Sequence, residues 1–260
     1  MNLGNRASGP VAIGLIATLG LACATTGFDP EVDQKLREAE ARRDLGMDHL
    51  AKGRTAMAIR ELAHSASLND SDAATQLWLG ESYRRKGRME EARSYAERAV
   101  RLDPSNHDAR LNLSGLYLQM EYFAEASEQA QALIDDPTDL TPWQAFNNRG
   151  WAQFRMKQYA QARLSFEEAL DYRARYWPAR LNLGILAESQ GKTREAIEAF
   201  GRVVEGSPRG IAAEANFRAA EVYVALGNRP DAIQHFEASL VSSPDGPWSD
   251  RSRELLDILR

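Results

Sequence analysis

The sequence predicts an all-α solenoid of six helix pairs closed by a C-terminal capping helix. Three observations carry that prediction. Alanine recurs as Ala58, Ala92, Ala126, Ala162, Ala196 and Ala232, spaced by 34 residues except at two joints with two extra. A small residue recurs at a second fixed offset, as Gly46, Gly80, Ser114, Gly150, Gly184 and Ala220. Each copy also holds two amphipathic helical patterns, and such a unit is too small to bury its apolar face without neighbours. The composition agrees. Alanine, leucine, glutamate and arginine dominate, β-branched residues are sparse, and the mean hydropathy of -0.48 suits many exposed helix faces rather than one thick core.

Residues 1–22 read as an address. Met1–Pro10 carries one charge, Arg6, and Val11–Ala22 is an apolar run too short to span a bilayer. The run ends Leu19-Gly20-Leu21-Ala22-Cys23, and Cys23 is the chain's single cysteine, so no intrachain disulfide or thiolate cluster can form. This segment resembles a bacterial lipobox. Ala22 matches the small residue before the lipidated cysteine, whereas Gly20 stands where leucine is usual. The resemblance implies diacylglycerol and fatty acyl chains on Cys23, the only non-protein groups expected. Acyl chains anchor because each buried methylene contributes about 0.8 kcal/mol. Ala24 after the cysteine implies the outer membrane, with the repeat body in the periplasm. The alternative is ordinary signal-peptidase cleavage nearby, with Cys23 incidental. Residues 23–38 are then expected to be a polar, lipidated tether.

The copies follow at about 39–72, 73–106, 107–140, 143–176, 177–210 and 213–246, with 247–260 as the cap. The fifth shows the design. Gly191 suits a helix C-terminus, where a left-handed residue is wanted, and Thr193 suits the N-cap of the next helix. Gly184 and Ala196 are expected to face each other across the pair. Pro137 and Pro142 bracket the longer joint between copies three and four, where a break in the superhelix is expected. In Trp248–Leu259, Glu254 replaces the small residue, as fits a polar end cap.

This pattern resembles the tetratricopeptide repeat, a helix–turn–helix unit of the same period. The resemblance implies a right-handed superhelix whose concave side is lined by the first helix of each pair. Offsets then nominate a partner-binding groove at Leu111, Asn112, Asn147, Asn148, Trp151, Arg155, Leu181, Asn182, Ile185 and Phe217. Asn112, Asn148 and Asn182 share one offset and could pair with an extended peptide backbone, since each amide offers donor and acceptor; packing is the alternative role. Trp151 is a contact candidate, whereas Trp143 begins its copy as Trp177 does and is expected to be structural. The carboxylate clamp of chaperone-docking repeats is absent.

No Ser/His/Asp set, phosphate-binding glycine loop or metal-ligand spacing is present, and His49, His64, His107 and His235 are scattered. The net charge of -5, with both signs interspersed, gives no nucleic-acid footprint. A protein-binding, non-enzymatic role without metal, nucleic acid or small-molecule substrate is expected. A lipobox, a tether, six repeats and the joint Asp136–Gly150 together resemble the pilotin lipoproteins of type IV pili, of the Tgl and PilF/PilW type, over residues 41–245. That resemblance implies binding of outer-membrane secretin subunits and promotion of their targeting and multimer assembly. A repeat lipoprotein of β-barrel assembly, or a scaffold of cell-wall or gliding machinery, is the competing reading.

Overall fold

A computed structural model of the chain describes residues 29–260. Cys23 and the leader lie outside the described residues. Thirteen α-helices and no strand are present among the described residues, and they pair along the chain. The pairs are α1 (Pro30–Ala51) with α2 (Thr55–Leu68), α3 (Ala73–Arg85) with α4 (Met89–Leu102), and α5 (His107–Gln119) with α6 (Phe123–Ile134). Then come α7 (Pro142–Arg155) with α8 (Tyr159–Tyr172), α9 (Trp177–Ser189) with α10 (Thr193–Gly206), and α11 (Arg209–Ala225) with α12 (Arg229–Ser242). Helix α13 (Ser249–Leu259) closes the array against α12. No helix among the described residues is long and apolar enough to cross a membrane.

The curvature follows from which helices meet. From α1 to α11, each odd-numbered helix touches the next odd-numbered one, and the even-numbered helices make no comparable contacts with each other. The odd helices therefore line the inside of the bend.

Within each pair, the six marker alanines are fully buried. The second small position meets a different residue from the one expected. A methyl group on Gly184 would lie 2.5 Å from the Phe200 ring, and one on Gly150 would lie 2.7 Å from the Phe166 ring. Gly46 opposes Leu62 in the same way, at 2.6 Å. The partner lies one turn beyond the marker alanine because helical side chains lean toward the N-terminus of their helix. Ala196 instead packs in the shared core with Phe200 and Val203.

The interior is a chain of small clusters rather than one core. Leu50, Ala58, Leu62 and Leu79 form one, Phe146, Phe166 and Leu186 another, and Phe217, Phe236 and Leu256 the last. Each cluster draws on two adjacent copies, or on the sixth copy and the cap, so each pair is completed by its neighbour.

Local signals set the ends. Gly53, Gly87, Gly191 and Gly227 take positive φ of 70–74° at the turn between paired helices, but Glu121 and Lys157 occupy that turn in copies three and four at φ 64° and 62°. Thr193 is the first helical residue of α10 rather than its N-cap; Lys192 is the cap, without a side-chain hydrogen bond. Helix α1 begins at Pro30, inside the stretch expected to be tether. Asp29 accepts a hydrogen bond from the Glu31 amide at 2.9 Å, and proline is favoured at a first helical position. The extra residues of the fifth joint are wound into α11, which starts at Arg209. The third joint is no break: α6 packs along α7 more extensively than any other inter-copy neighbours. There Asp136 accepts from Thr138 Oγ1 at 2.7 Å and from the Thr138 amide at 2.9 Å, and its other oxygen lies 2.9 Å from His107 Nε2.

Candidate functional site

The inner face is built from corresponding positions on the odd helices. One position runs Trp78, Asn112, Asn148, Asn182 and Arg218 along copies two to six. A second runs Met47, Glu81, Gly115, Trp151, Ile185 and Glu221. Helices α5, α7 and α9 bring Leu111, Asn112, Asn147, Asn148, Trp151, Arg155 and Asn182 to this side, exposed or half-buried.

Three nominated residues are not available to a partner. Leu181 and Ile185 are buried, packed on Ala215, Ala219 and Val222 of the next copy. Phe217 is buried against Phe236 and Trp248, with ring centroids at 5.6 Å and 5.0 Å. The inner face is therefore more polar than the nominated residues alone imply, because neighbouring copies approach closely enough to bury Leu181, Ile185 and Phe217. Trp151 is partly consumed as well: it lies 5.2 Å from Phe154 and joins the clusters of copies four and five. Leu111 leans on Ala130, Leu133 and Ala145.

The amides form an irregular ladder. Asn182 Nδ2 donates to Asn147 Oδ1 at 2.9 Å, and Asn148 Nδ2 donates to Ser114 Oγ at 3.4 Å. The Asn112 side chain makes no hydrogen bond within the described residues and is exposed. Arg155 donates to Glu121 at 2.8 Å and lies 4.6 Å over the Phe123 ring. The ladder thus carries both internal bonds and free amide groups.

Charge on this face is largely neutralised within the chain. Glu81 accepts from Arg84 Nε at 2.7 Å and from Arg85 Nε at 2.6 Å. Burial raises its carboxyl, but the two arginines outweigh burial and hold it below the ordinary value. At the far end, burial pushes Glu188 and Glu221 above the ordinary carboxylate value, and Arg218 opposes that shift. Between these ends, copies three to five offer amides, Gly115 and Trp151.

A hollow of about 240 Å³ opens on this stretch, between α5 and the walls supplied by Arg84, Gln144, Asn148 and Tyr176. Its lower side is Gly115 and Leu116. Sequence reasoning nominated neither Gly115 nor Gln144. The signal was present: at Gly115's position five other copies carry methionine, glutamate, tryptophan, isoleucine and glutamate. Among the described residues, no group of three histidine, cysteine or acidic side chains could hold a metal ion.

Comparison with known proteins agrees with this architecture. A profile of the tetratricopeptide repeat matches residues 43–107, 147–210 and 181–247, and a second profile of the same repeat matches 83–146. No curated protein sequence matches the chain. Among solved structures, Pseudomonas aeruginosa PilF overlays with a TM-score of 0.66 at 18% identity, over 86% of this chain and 99% of that one. PilW, described as a widely conserved type IV pilus biogenesis factor, gives 0.70 at 17% identity, over 82% and 97%. A chain of the APC/C hetero-tetramer Cut9–Hcn1 gives 0.69 at 21% identity, over 88% of this chain but 44% of its own. Identities this low carry the fold alone, and an equal score for a protein of another machine makes the same point. Stacked repeats of this kind present an extended concave surface for protein–protein interaction. Matched profiles that together run from residue 43 to 247, on the helix pairs just described, establish that the chain belongs to the tetratricopeptide-repeat family.

Proposed function

We propose that this protein is an outer-membrane lipoprotein of the pilotin type. It is anchored through acyl chains on Cys23, and its repeats bind secretin subunits to promote their targeting and multimer assembly for type IV pili. The observation that carries the reading is coverage. The fold overlays nearly the whole of the solved PilF and PilW chains and more than four fifths of this one, so the likeness extends along the run of repeats rather than to one helix pair. The sequence before Asp29 supports the anchor. The apolar run ends at Cys23, and α1 starts seven residues later at Pro30, so a lipidated Cys23 keeps the first repeat near the membrane surface. The linking residues reach at most about 3.5 Å each when fully extended.

On this reading the polar inner face of copies three to five receives an extended secretin segment, with the free amides pairing to its backbone. Deleting the gene and measuring heat-resistant secretin multimers tests it. Loss of multimers with secretin monomer still present is the expected result. A broad loss of porins would favour a role in β-barrel assembly, and unchanged multimers would end the pilotin reading. Replacement Cys23→Ser should release the protein from outer-membrane fractions; normal recovery there would contradict lipid anchoring.

A further inference from the structure

We infer that the hollow over Gly115 is a side-chain pocket: it takes one uncharged polar side chain (Asn, Gln, Ser or Thr) from an extended polypeptide crossing the concave face. This deepens the preceding section, because it rests on the concave face receiving a polypeptide, but it does not depend on that polypeptide being a secretin.

Four observations converge. The hollow exists because copy three has glycine where the other copies place a side chain, and a Cβ built on Gly115 meets no atom within 4 Å. Folding does not require that glycine. Its φ is not in the left-handed region, and it sits in the interior of α5, where glycine is a weak helix former. Second, the walls converge from three copies: Arg84 from the second, Asn112 and Gln119 from the third, and Gln144, Asn148 and Tyr176 from the fourth. Third, the side chains of Asn112, Gln119 and Gln144 make no hydrogen bond within the described residues, so donors and acceptors face the space unspent. Fourth, the one charged group in the lining is already engaged. Arg84 is held by Glu81 through two hydrogen bonds, at 2.7 and 2.9 Å.

These features select the occupant. About 240 Å³ is below the roughly 300–1,000 Å³ typical of small-molecule sites, yet the space is open on one side, as a side chain carried on a passing backbone requires. A carboxylate would find the one cation already bonded to Glu81, and an aliphatic group would leave the surrounding amides unpaired. A neutral amide or hydroxyl matches both donors and acceptors.

The test is selection of randomised linear peptides, displayed on phage, against the purified full chain. Enriched peptides should share Asn, Gln, Ser or Thr at one position. Their affinity should change little between low and high salt, since no exposed ion pair is formed. Gly115→Leu, which fills the hollow from below, should weaken them by about tenfold or more. Gln144→Leu, from the opposite wall, should do the same, and circular dichroism should show both variants folded. Failure to enrich any peptide, enrichment of a charged or apolar residue at the shared position, or equal binding to a folded Gly115→Leu protein would overturn the assignment. Secretin multimers play no part in this test, so the pocket and the pilotin reading can fail separately.

Discussion

Two interior helix glycines should respond in opposite directions to the same substitution. In α5, Gly115→Ala adds a methyl group to open space, so only the gain in helix propensity remains. The expected result is stabilisation by about 0.5–1 kcal/mol. In α9, Gly184→Ala gains the same propensity, but its methyl group would lie 2.5 Å from Phe200, whose ring is fully buried and cannot swing into solvent. Overpacking of this kind costs about 1–3 kcal/mol, so the net effect is destabilisation by roughly 0.5–2 kcal/mol. Phe200→Ala alone should cost about 3–5 kcal/mol through the cavity it leaves. In the double variant the overlap is gone. The combined loss should then fall short of the sum of the single losses by about 0.5–3 kcal/mol, the range for directly contacting pairs. The assay is urea unfolding followed by circular dichroism, comparing midpoints only among variants with equal slopes, because repeat arrays can lose cooperativity. Equal and same-sign effects of Gly115→Ala and Gly184→Ala, or strict additivity of the Gly184 and Phe200 changes, would refute the pairing of small and large residues.

Other predictions follow from the turns, the third joint and the ladder. Lys157 holds a left-handed conformation that four other copies give to glycine, so Lys157→Gly should raise stability by about 0.5–1 kcal/mol in the same unfolding assay. Glu121→Gly should gain less, because it also removes the ion pair with Arg155. At the third joint, hydrogen bonds from Thr138, and secondarily His107, lower the Asp136 carboxyl from 3.8 to about 2. A depressed folded value stabilises above the unfolded value, and that stability is lost as pH falls from about 4 toward 2. Melting curves of Asp136→Asn should accordingly be less sensitive to pH in that window than those of the natural chain. Replacing Asn148 and Asn182 together by alanine should weaken partner capture with the fold intact; a titration showing unchanged affinity would remove the ladder from the binding site.

The repeat was legible in the sequence because its signals are local. The marker alanines and the glycine turns each depend on geometry within one copy, and all six alanines are buried as their spacing requires. The start of α1 was also written there, as Asp29-Pro30-Glu31, a capping residue followed by proline and an acid. The polar composition around it hid the signal. The fate of Leu181, Ile185 and Phe217 could not be read that way. Whether an inward-facing side chain reaches a partner or the next copy depends on the angle between copies, which is the sum of contacts far apart in sequence. The same holds for the third joint, where added residues suggested loosening and the packed chain shows the reverse. Gly115 was legible only as a departure from five other copies, and its meaning needed the walls that other repeats supply.

The most direct test of the central claim is reconstitution: secretin synthesised in the presence of liposomes carrying the lipidated full chain, scored for heat-resistant multimers. The pilotin reading predicts that multimer yield rises with the lipidated chain. It also predicts that the rise is lost with Cys23→Ser and reduced by the Asn148 and Asn182 double replacement. Equal yields with and without the protein, or full activity of the Cys23→Ser form, would contradict it.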